Sequence, residues 1–436
     1  MPPVRVATRA AASYYLLMGM PCRLVYRSAV PASLETVTAV SPHEVDARRL
    51  GLDPAAVRAV WEAAEGLYRS GLHPALQLCV RIRGEIVIDR AIGHASGNGP
   101  PGSKDGPLRP VTLDTPFSTL SGSKGVTAMV IHGLVERGLI HLDDAVCEYV
   151  PEFTSHGKDR ITIRHLLAHR AGIPTVPPEQ ITLDRLARPG GVREAIYGLV
   201  PSYRPGKRLA YHALSAGFVL GEVVERVTGR DIRAALQEIV CRPLGLRWTN
   251  YGVPEGDTDV VARNYYTGFP VSASVSAIFR NFLGFNFEEV AEVSNDPRFL
   301  RGIIPAGNLV TTANELSLVY QVLLNEGALG GVRVFEPRTI RRAVGEQSYM
   351  EFDRTLGMPI RYGLGFMLGG RWLSLYGPGT ERAFGHLGFT SIIAWADPDR
   401  QVSAALLTSG KPLVHPGVYY FLEIPRRIGI AAEVRR

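Results

Sequence analysis

Apolar residues recur at helical spacing from Ala55 to Tyr68 (Val57, Val60, Trp61, Ala64, Leu67), behind an Asp53-Pro54 pair suited to an N-cap and first turn. The run stops near Gly71, and the period then changes. Leu76 to Ile82 and Ile86 to Ile92 are β-rich segments joined by Arg83-Gly84-Glu85, which predicts a hairpin. Residues 97–110 (GNGPPGSKDGPLRP) hold so much Gly and Pro that an exposed loop is expected there. Helical patterns dominate from 121 to about 240. They include an amphipathic stretch with Val126, Met129, Val130, Leu134 and Val135, and a run from Phe218 to Val227 that Gly229 stops. Strand patterning returns at Phe384 to Phe389, at Ser391 to Trp395 and, after the turn Asp397-Pro398-Asp399, at Val402 to Leu407; residues 416–430 predict a closing helix. Strands at both ends with helices between them imply one sheet assembled from the two termini, a mixed α/β layer beside an all-helical lobe. A cleft is expected at the seam. The expected division is an irregular extension over 1–40 and a domain over 41–436, with an α/β lobe at about 45–115 and 310–436 and a helical lobe at about 120–305.

Composition narrows the function classes. With 436 residues, 46% hydrophobic and 20% charged, the chain is long enough for a large core and is neither disordered nor collagenous. Its net charge of +7 is spread thinly, with no dense basic run, which argues against a nucleic-acid partner. Cys22, Cys79, Cys147 and Cys241 lie far apart with no CxxC pair, so neither a zinc knuckle nor a disulfide framework is indicated. Arg5 and Arg9 ahead of Ala10 to Met20 imitate a signal peptide only faintly. No window reaches the ~18 uninterrupted apolar residues of a spanning helix. A cytoplasmic location is the expectation.

Three clusters carry candidate chemistry. Ser121-Gly122-Ser123-Lys124 stands at a helix start, where positions i and i+3 share a face, so Lys124 can reach the Ser121 hydroxyl. A lysine desolvated in a cleft loses basicity and becomes able to take a serine proton, and the helix N-terminus favours a developing oxyanion. A second S-x-x-K, Ser155-His156-Gly157-Lys158, has a glycine inside it and is not expected to stack over one turn. Tyr211, in a loop ahead of the Phe218 helix, is suited to pass a proton to a leaving group. Gly385-His386-Leu387-Gly388-Phe389 is a strand whose two glycines permit close approach. Backbone N–H groups at Phe389 and Ser121 would pair as an oxyanion hole, and His386 would aim at the substrate.

In order and spacing these clusters resemble the class C β-lactamases, the related serine DD-peptidases and the β-lactamase-like esterases, whose motifs are S-x-x-K, Y-x-N and K-T-G or H-x-G. Ile161 to Pro174 (ITIRHLLAHRAGIP) resembles the family's LLxHxSG segment, and Ile304 to Asn308 and Tyr362 to Gly365 resemble later landmarks. The resemblance spans roughly 45–410. It implies an α/β (α+β), β-lactamase/penicillin-binding-protein-like fold: a mixed antiparallel sheet flanked by helices, plus the helical lobe. It also implies that Ser121 is the acylated nucleophile, Lys124 its base partner, Tyr211 the proton shuttle and His386 the third-motif residue, with Gly388 and Phe389 beside the oxyanion. His165 and His169 fall in a segment that is structural in the family, so no metal site is assigned to them. No cofactor is implied.

Two departures point away from the antibiotic-degrading members. Ala213 stands where Y-x-N has asparagine, and K-T-G is absent. A site without a partner for a substrate amide gives up discrimination in its favour. The expectation is therefore a serine carboxylic-ester hydrolase acting on a small ester with an apolar acyl or alcohol part. The alternatives are an acyltransferase, a β-lactamase or DD-peptidase of the same fold, and a non-catalytic binding protein. Tyr265, Tyr266, Phe269, Phe279, Phe282, Phe285, Phe287 and Phe299 make 265–300 dense in aromatics, suited either to capping the cleft or to filling the helical lobe's own core. G-x-S-x-G is absent, which disfavours an α/β-hydrolase fold.

Overall fold

The computed structural model describes residues 25–413 and 417–433. The signal-like stretch Ala10 to Met20, and Cys22 with it, lie outside these residues. The main sheet contains β1 (Thr38–Val40), β2 (Ala75–Ile82), β3 (Glu85–Ser96), β4 (Ser348–Asp353), β5 (Met358–Tyr362), β6 (Met367–Leu368), β7 (Phe384–Leu387), β8 (Ile393–Asp397) and β9 (Val402–Thr408). They run antiparallel in the order β1-β3-β2-β9-β8-β7-β6-β5-β4, and Arg109–Pro110 adds a short tenth strand against β3. The two ends of the chain meet where β9 pairs with β2, from Val402 opposite Ile82 to Thr408 opposite Leu76. At the β2–β3 turn, Arg83 and Gly84 both take positive φ (53° and 86°), the two-residue geometry that matches strand twist.

Both faces of the central strands are covered, so every residue of β2 and β9 is buried, the polar Gln77, Arg81 and Ser403 included. Leu76, Leu78 and Val80 of β2, with Trp395 and Leu406, pack on one face against the terminal helices. Those helices are α1 (Pro54–Arg69), which Asp53 caps by accepting the Ala55 N–H at 2.8 Å, and the closing helix Val418–Ala432. Cys79, Ala405 and Leu407 face the opposite side and join the core that continues into the helical lobe. That lobe is organised around α2 (Ser123–Glu136) and α3 (Ser215–Thr228), the latter stopped by Gly229 in the left-handed conformation. Among the described residues no helix is long and apolar enough to cross a membrane.

Several local expectations need correcting. Residues 38–40, assigned by sequence to an irregular extension, form the edge strand β1, and Tyr26 bridges to Gly268. The end of the Gly/Pro-rich loop pairs with β3 at 109–110, because Arg109 is anchored to the carbonyls of Asp259, Val260 and Val261. Helix α2 is not amphipathic: every residue from Ser123 to Leu134 is buried, since the helix runs through the middle of the large core instead of along its surface. Strand β7 ends at Leu387, which leaves Gly388 and Phe389 in the turn beyond it.

Candidate active site

The nucleophile candidate sits on a constrained turn. Residues Leu120–Gly122 form one turn of 3-10 helix that runs into α2, and side chains at i and i+3 eclipse in that geometry. Lys124 Nζ accordingly lies 3.2 Å from Ser121 Oγ. Leu120 enters the turn at φ 49°, a left-handed conformation that costs a non-glycine residue about 1–2 kcal/mol. The strain is held by a clasp to the strand Leu309–Thr311. Thr119 donates its N–H to the Leu309 carbonyl at 2.8 Å, and the Leu309 N–H returns a bond of 2.9 Å to Ser123 Oγ. Ser123, one of the unspecified positions of S-x-x-K, is thus a fully buried support for the turn.

Burial sets the character of Lys124. It is enclosed by α2, α3 and the loop 302–308, and desolvation lowers its pKa to about 7. Its second acceptor is the Ala306 carbonyl at 2.9 Å. Buried Asn308 holds that carbonyl in place by accepting the Ile304 N–H at 2.9 Å and donating to the carbonyls of Phe299 and Gly302 at 2.9 and 2.8 Å. Helix α3 reaches the same loop through Gly217, where a Cβ would stand 2.6 Å from that of Ala306. Neither the Ala306 carbonyl nor the work of Asn308 is legible in sequence. The first depends on a contact across 182 positions, and the second on how the 304–308 segment, marked in the sequence only as a landmark of the resemblance, folds back on Phe299 and Gly302.

Tyr211 comes from the loop before α3. Burial raises the pKa of its hydroxyl, and the neighbouring Ser121 side chain works in the opposite direction. Lys124 Nζ stands 4.8 Å from its ring centroid, and His169 packs on the ring at 4.7 Å. The loop is tied from behind: the Tyr211 N–H donates to Asp353 Oδ1 at 3.0 Å and the His212 N–H to His169 Nδ1 at 3.2 Å. The His212 ring turns away and is used up by the Ala210 carbonyl (2.7 Å) and the Ile173 N–H (3.2 Å), with burial lowering its pKa to about 4. His165 Nδ1 accepts the Thr162 N–H at the start of its own short helix.

His386 lies on β7 with its ring 6.2 Å from that of Tyr211. Its Nδ1 is 2.6 Å from the Leu387 carbonyl, so that nitrogen carries the proton, while the buried Nε2 has no partner. Burial, then Lys124, lowers its pKa to about 3. The ring is therefore a neutral acceptor facing the site. The turn after β7 closes on the nucleophile, since a Cβ at Gly388 would meet the Thr119 carbonyl at 2.5 Å. Phe389 joins an aromatic group with Phe279 and Phe287 (centroids 6.0 and 5.0 Å), and Phe285 and Phe299 line an apolar pocket with Ser121, Ala213 and Phe389. The aromatic segment thus serves both purposes: part of it lines the cleft, and part, with Phe287 fully buried, fills its own core.

The second S-x-x-K corrects a sequence expectation. Ser155 and Lys158 do meet, at 2.8 Å, because His156 and Gly157 both take positive φ and fold the tetrapeptide into a turn. The difference from Ser121 lies in saturation. Lys158 Nζ also donates to the carbonyls of Ser155 and Leu199, which satisfies all three ammonium protons, and Ser155 Oγ donates to the Tyr197 carbonyl. It is a buried structural cation. Among the described residues no cluster of His, Cys, Asp and Glu is arranged to hold a metal ion.

Comparison with known proteins agrees with this architecture. A curated relative, "Esterase/beta-lactamase LipL" of Mycobacterium tuberculosis, is 28% identical over 377 residues, covering 82% of this chain and 83% of the relative. A "Putative D-alanyl-D-alanine carboxypeptidase" of Escherichia coli is 25% identical over 359 residues, covering 78% of this chain and 79% of that protein. Among solved structures, the crystal structure of a family VIII carboxylesterase superposes with a TM-score of 0.74 at 26% identity, covering 89% of this chain and 100% of that one. The family model described as Beta-lactamase matches residues 60–421, so the chain belongs to the beta-lactamase family.

Proposed function

We propose that this protein hydrolyses small carboxylic esters through an acyl-enzyme on Ser121. The observation that carries the reading is the buried Lys124 amine, 3.2 Å from the Ser121 hydroxyl at the edge of an apolar pocket. With its pKa near 7, much of Lys124 is neutral at physiological pH and has a lone pair for the serine proton. Ser121 Oγ attacks the ester carbonyl as its proton passes to Lys124. The tetrahedral oxyanion is received by the N–H groups of Ser121 and Phe389, beside Gly388. Tyr211, beside Ser121 and with its ring under Lys124, hands a proton to the departing alkoxide, and Lys124 then reprotonates Tyr211. Water repeats the attack on the acyl-serine with the same groups in reverse.

Ester is favoured over amide by the wall of the pocket. Ala213 lines it where the related motif carries asparagine, so a substrate amide finds no partner there. Neutral His386 offers an acceptor and no cation, which suits an uncharged ester better than an anionic substrate. The esterase named among the relatives fits this reading, and the carboxypeptidase name keeps a peptidase activity as the second arm of the test.

The experiment is a burst assay with p-nitrophenyl acetate on the wild type and Ser121→Ala, with nitrocefin and a D-alanyl-D-alanine peptide in parallel. The expected result is a stoichiometric burst followed by slower turnover, lost in Ser121→Ala, with little turnover of the two amides. Equal ester rates in both proteins would refute the serine mechanism.

A further inference from the structure

The apolar pocket beside Ser121 is small, about 60 Å³, and a much larger cavity of about 430 Å³ lies next to it in the helical lobe. The wall between them is one chain thick. Along the segment 303–306, Ile303 and Pro305 face the large cavity while Ile304 and Ala306 face the pocket. Leu186, from the short helix Leu183–Ala187, is nearly buried and touches both spaces. The 303–306 segment is fixed from outside by the Asn308 bonds described above and by Thr127, which donates to the Pro305 carbonyl at 2.5 Å. Leu186 is held only by packing, so it is the part of the wall that a side-chain change can open.

We infer that Leu186 sets the acyl-chain length this protein accepts, closing the pocket against the larger cavity and restricting it to short acyl groups; this rests on the acyl-enzyme reading of Ser121. The pocket is assigned to the acyl side by proton logic. Tyr211 must stand next to the leaving oxygen, and among the described residues the pocket is lined by Ser121 but by neither Tyr211 nor His386. At ~10–15 Å³ for each water-sized position, 60 Å³ offers roughly four to six heavy-atom positions, enough for acetyl to butyryl and too few for octanoyl. Beyond Leu186 the large cavity has a mixed lining: Phe153, Ile196, Phe218 and Ile232 offer an alkyl chain apolar surface, while the rest of the wall carries charged side chains such as Arg188, Arg193, Glu222 and Asp231. A cavity of that size takes the remaining methylenes of an octanoyl chain with room to spare.

The test measures kcat/KM for p-nitrophenyl acetate, butyrate and octanoate with the wild type, Leu186→Ala, Leu186→Val and Ser121→Ala. The readout is the octanoate-to-acetate ratio within each protein, so a general loss of activity cancels. The wild type is expected to lose at least ten-fold in kcat/KM from butyrate to octanoate. Leu186→Ala should raise the octanoate-to-acetate ratio at least ten-fold, with Leu186→Val in between. Wild-type turnover of octanoate equal to that of butyrate, or unchanged ratios in the Leu186 variants, would overturn the inference. Should Leu186→Ala fail to fold, the wild-type series and Leu186→Val decide the matter. Acetate turnover that survives Ser121→Ala defeats the serine reading itself, whereas Ser121-dependent turnover with flat ratios defeats only the role of Leu186.

Discussion

Asp353, the last residue of β4, accepts the backbone N–H of Tyr211 at 3.0 Å across 142 positions of chain. The carboxylate is fully buried, and it also receives the N–H groups of Thr355 and Leu356 at 2.9 and 3.0 Å and the Tyr362 hydroxyl at 3.1 Å. One anion thereby closes the β4–β5 hairpin and fixes the loop that presents the tyrosine. It touches no reacting atom and acts by position.

Removing this anchor should affect chemistry and stability together. Asp353→Ala leaves buried donors unpaired, at about 1–3 kcal/mol of stability, and is expected to lower kcat/KM for p-nitrophenyl acetate ten-fold or more with KM little changed. Asp353→Asn retains an acceptor oxygen and should recover part of the rate. Steady-state kinetics and thermal melts on the two variants distinguish this from general unfolding, because simple destabilisation would leave the rate of the folded fraction intact.

The acylation rate should follow the titration of Lys124. Burial lowers its pKa to about 7, so the amine is protonated and inactive below that pH and free above it. A plot of kcat/KM against pH is expected to rise with unit slope up to about 7 and then level. Lys124→Met should abolish the burst, and an unchanged profile in that variant would remove lysine from the base role.

Tyr211→Phe keeps the ring under Lys124 and against His169 but loses the hydroxyl beside Ser121. Leaving groups that need a proton should suffer most. Turnover of an ethyl ester is expected to fall about 10²–10⁴-fold, while turnover of a p-nitrophenyl ester, whose phenolate departs unaided, falls less. Equal losses on both would place Tyr211 outside leaving-group protonation.

Lys411 is a second buried lysine, with a pKa lowered by burial to about 7 and the Thr408 carbonyl at 2.6 Å as its acceptor. Because its folded pKa lies below the unfolded value, the unfolded chain binds more protons between pH 7 and about 10. Stability should therefore rise with pH in that window by about 1.4 kcal/mol per pH unit for each such lysine. Below pH 7 both states are protonated and the burial cost is felt in full. Lys411→Met is expected to raise the melting temperature at pH 6 and to flatten the dependence between pH 7 and 10, as read by thermal melts across pH.

The local elements were largely legible in the sequence because they rest on contacts a few residues apart. Asp53 capping α1, Arg83-Gly84 turning the hairpin and Gly229 ending α3 are each settled by backbone preferences at single positions. The S-x-x-K spacing belongs to the same class, since one turn of helix is enough to bring Lys124 to Ser121. Spacing alone could not separate that pair from Ser155 and Lys158, which are closer still.

What separates them is saturation, and that is a property of the assembled molecule. Lys158 meets three protein acceptors and Lys124 two, one of which is the Ala306 carbonyl brought in by a loop far along the chain. The same holds for the burial of α2 on every side, the anchoring of Tyr211 by Asp353 and the wall formed by Leu186. Sequence order determined which chemical groups exist and how each segment bends locally. Only the packing of distant segments decided which groups lose water, because desolvation depends on everything that surrounds a side chain and not on its neighbours in the chain.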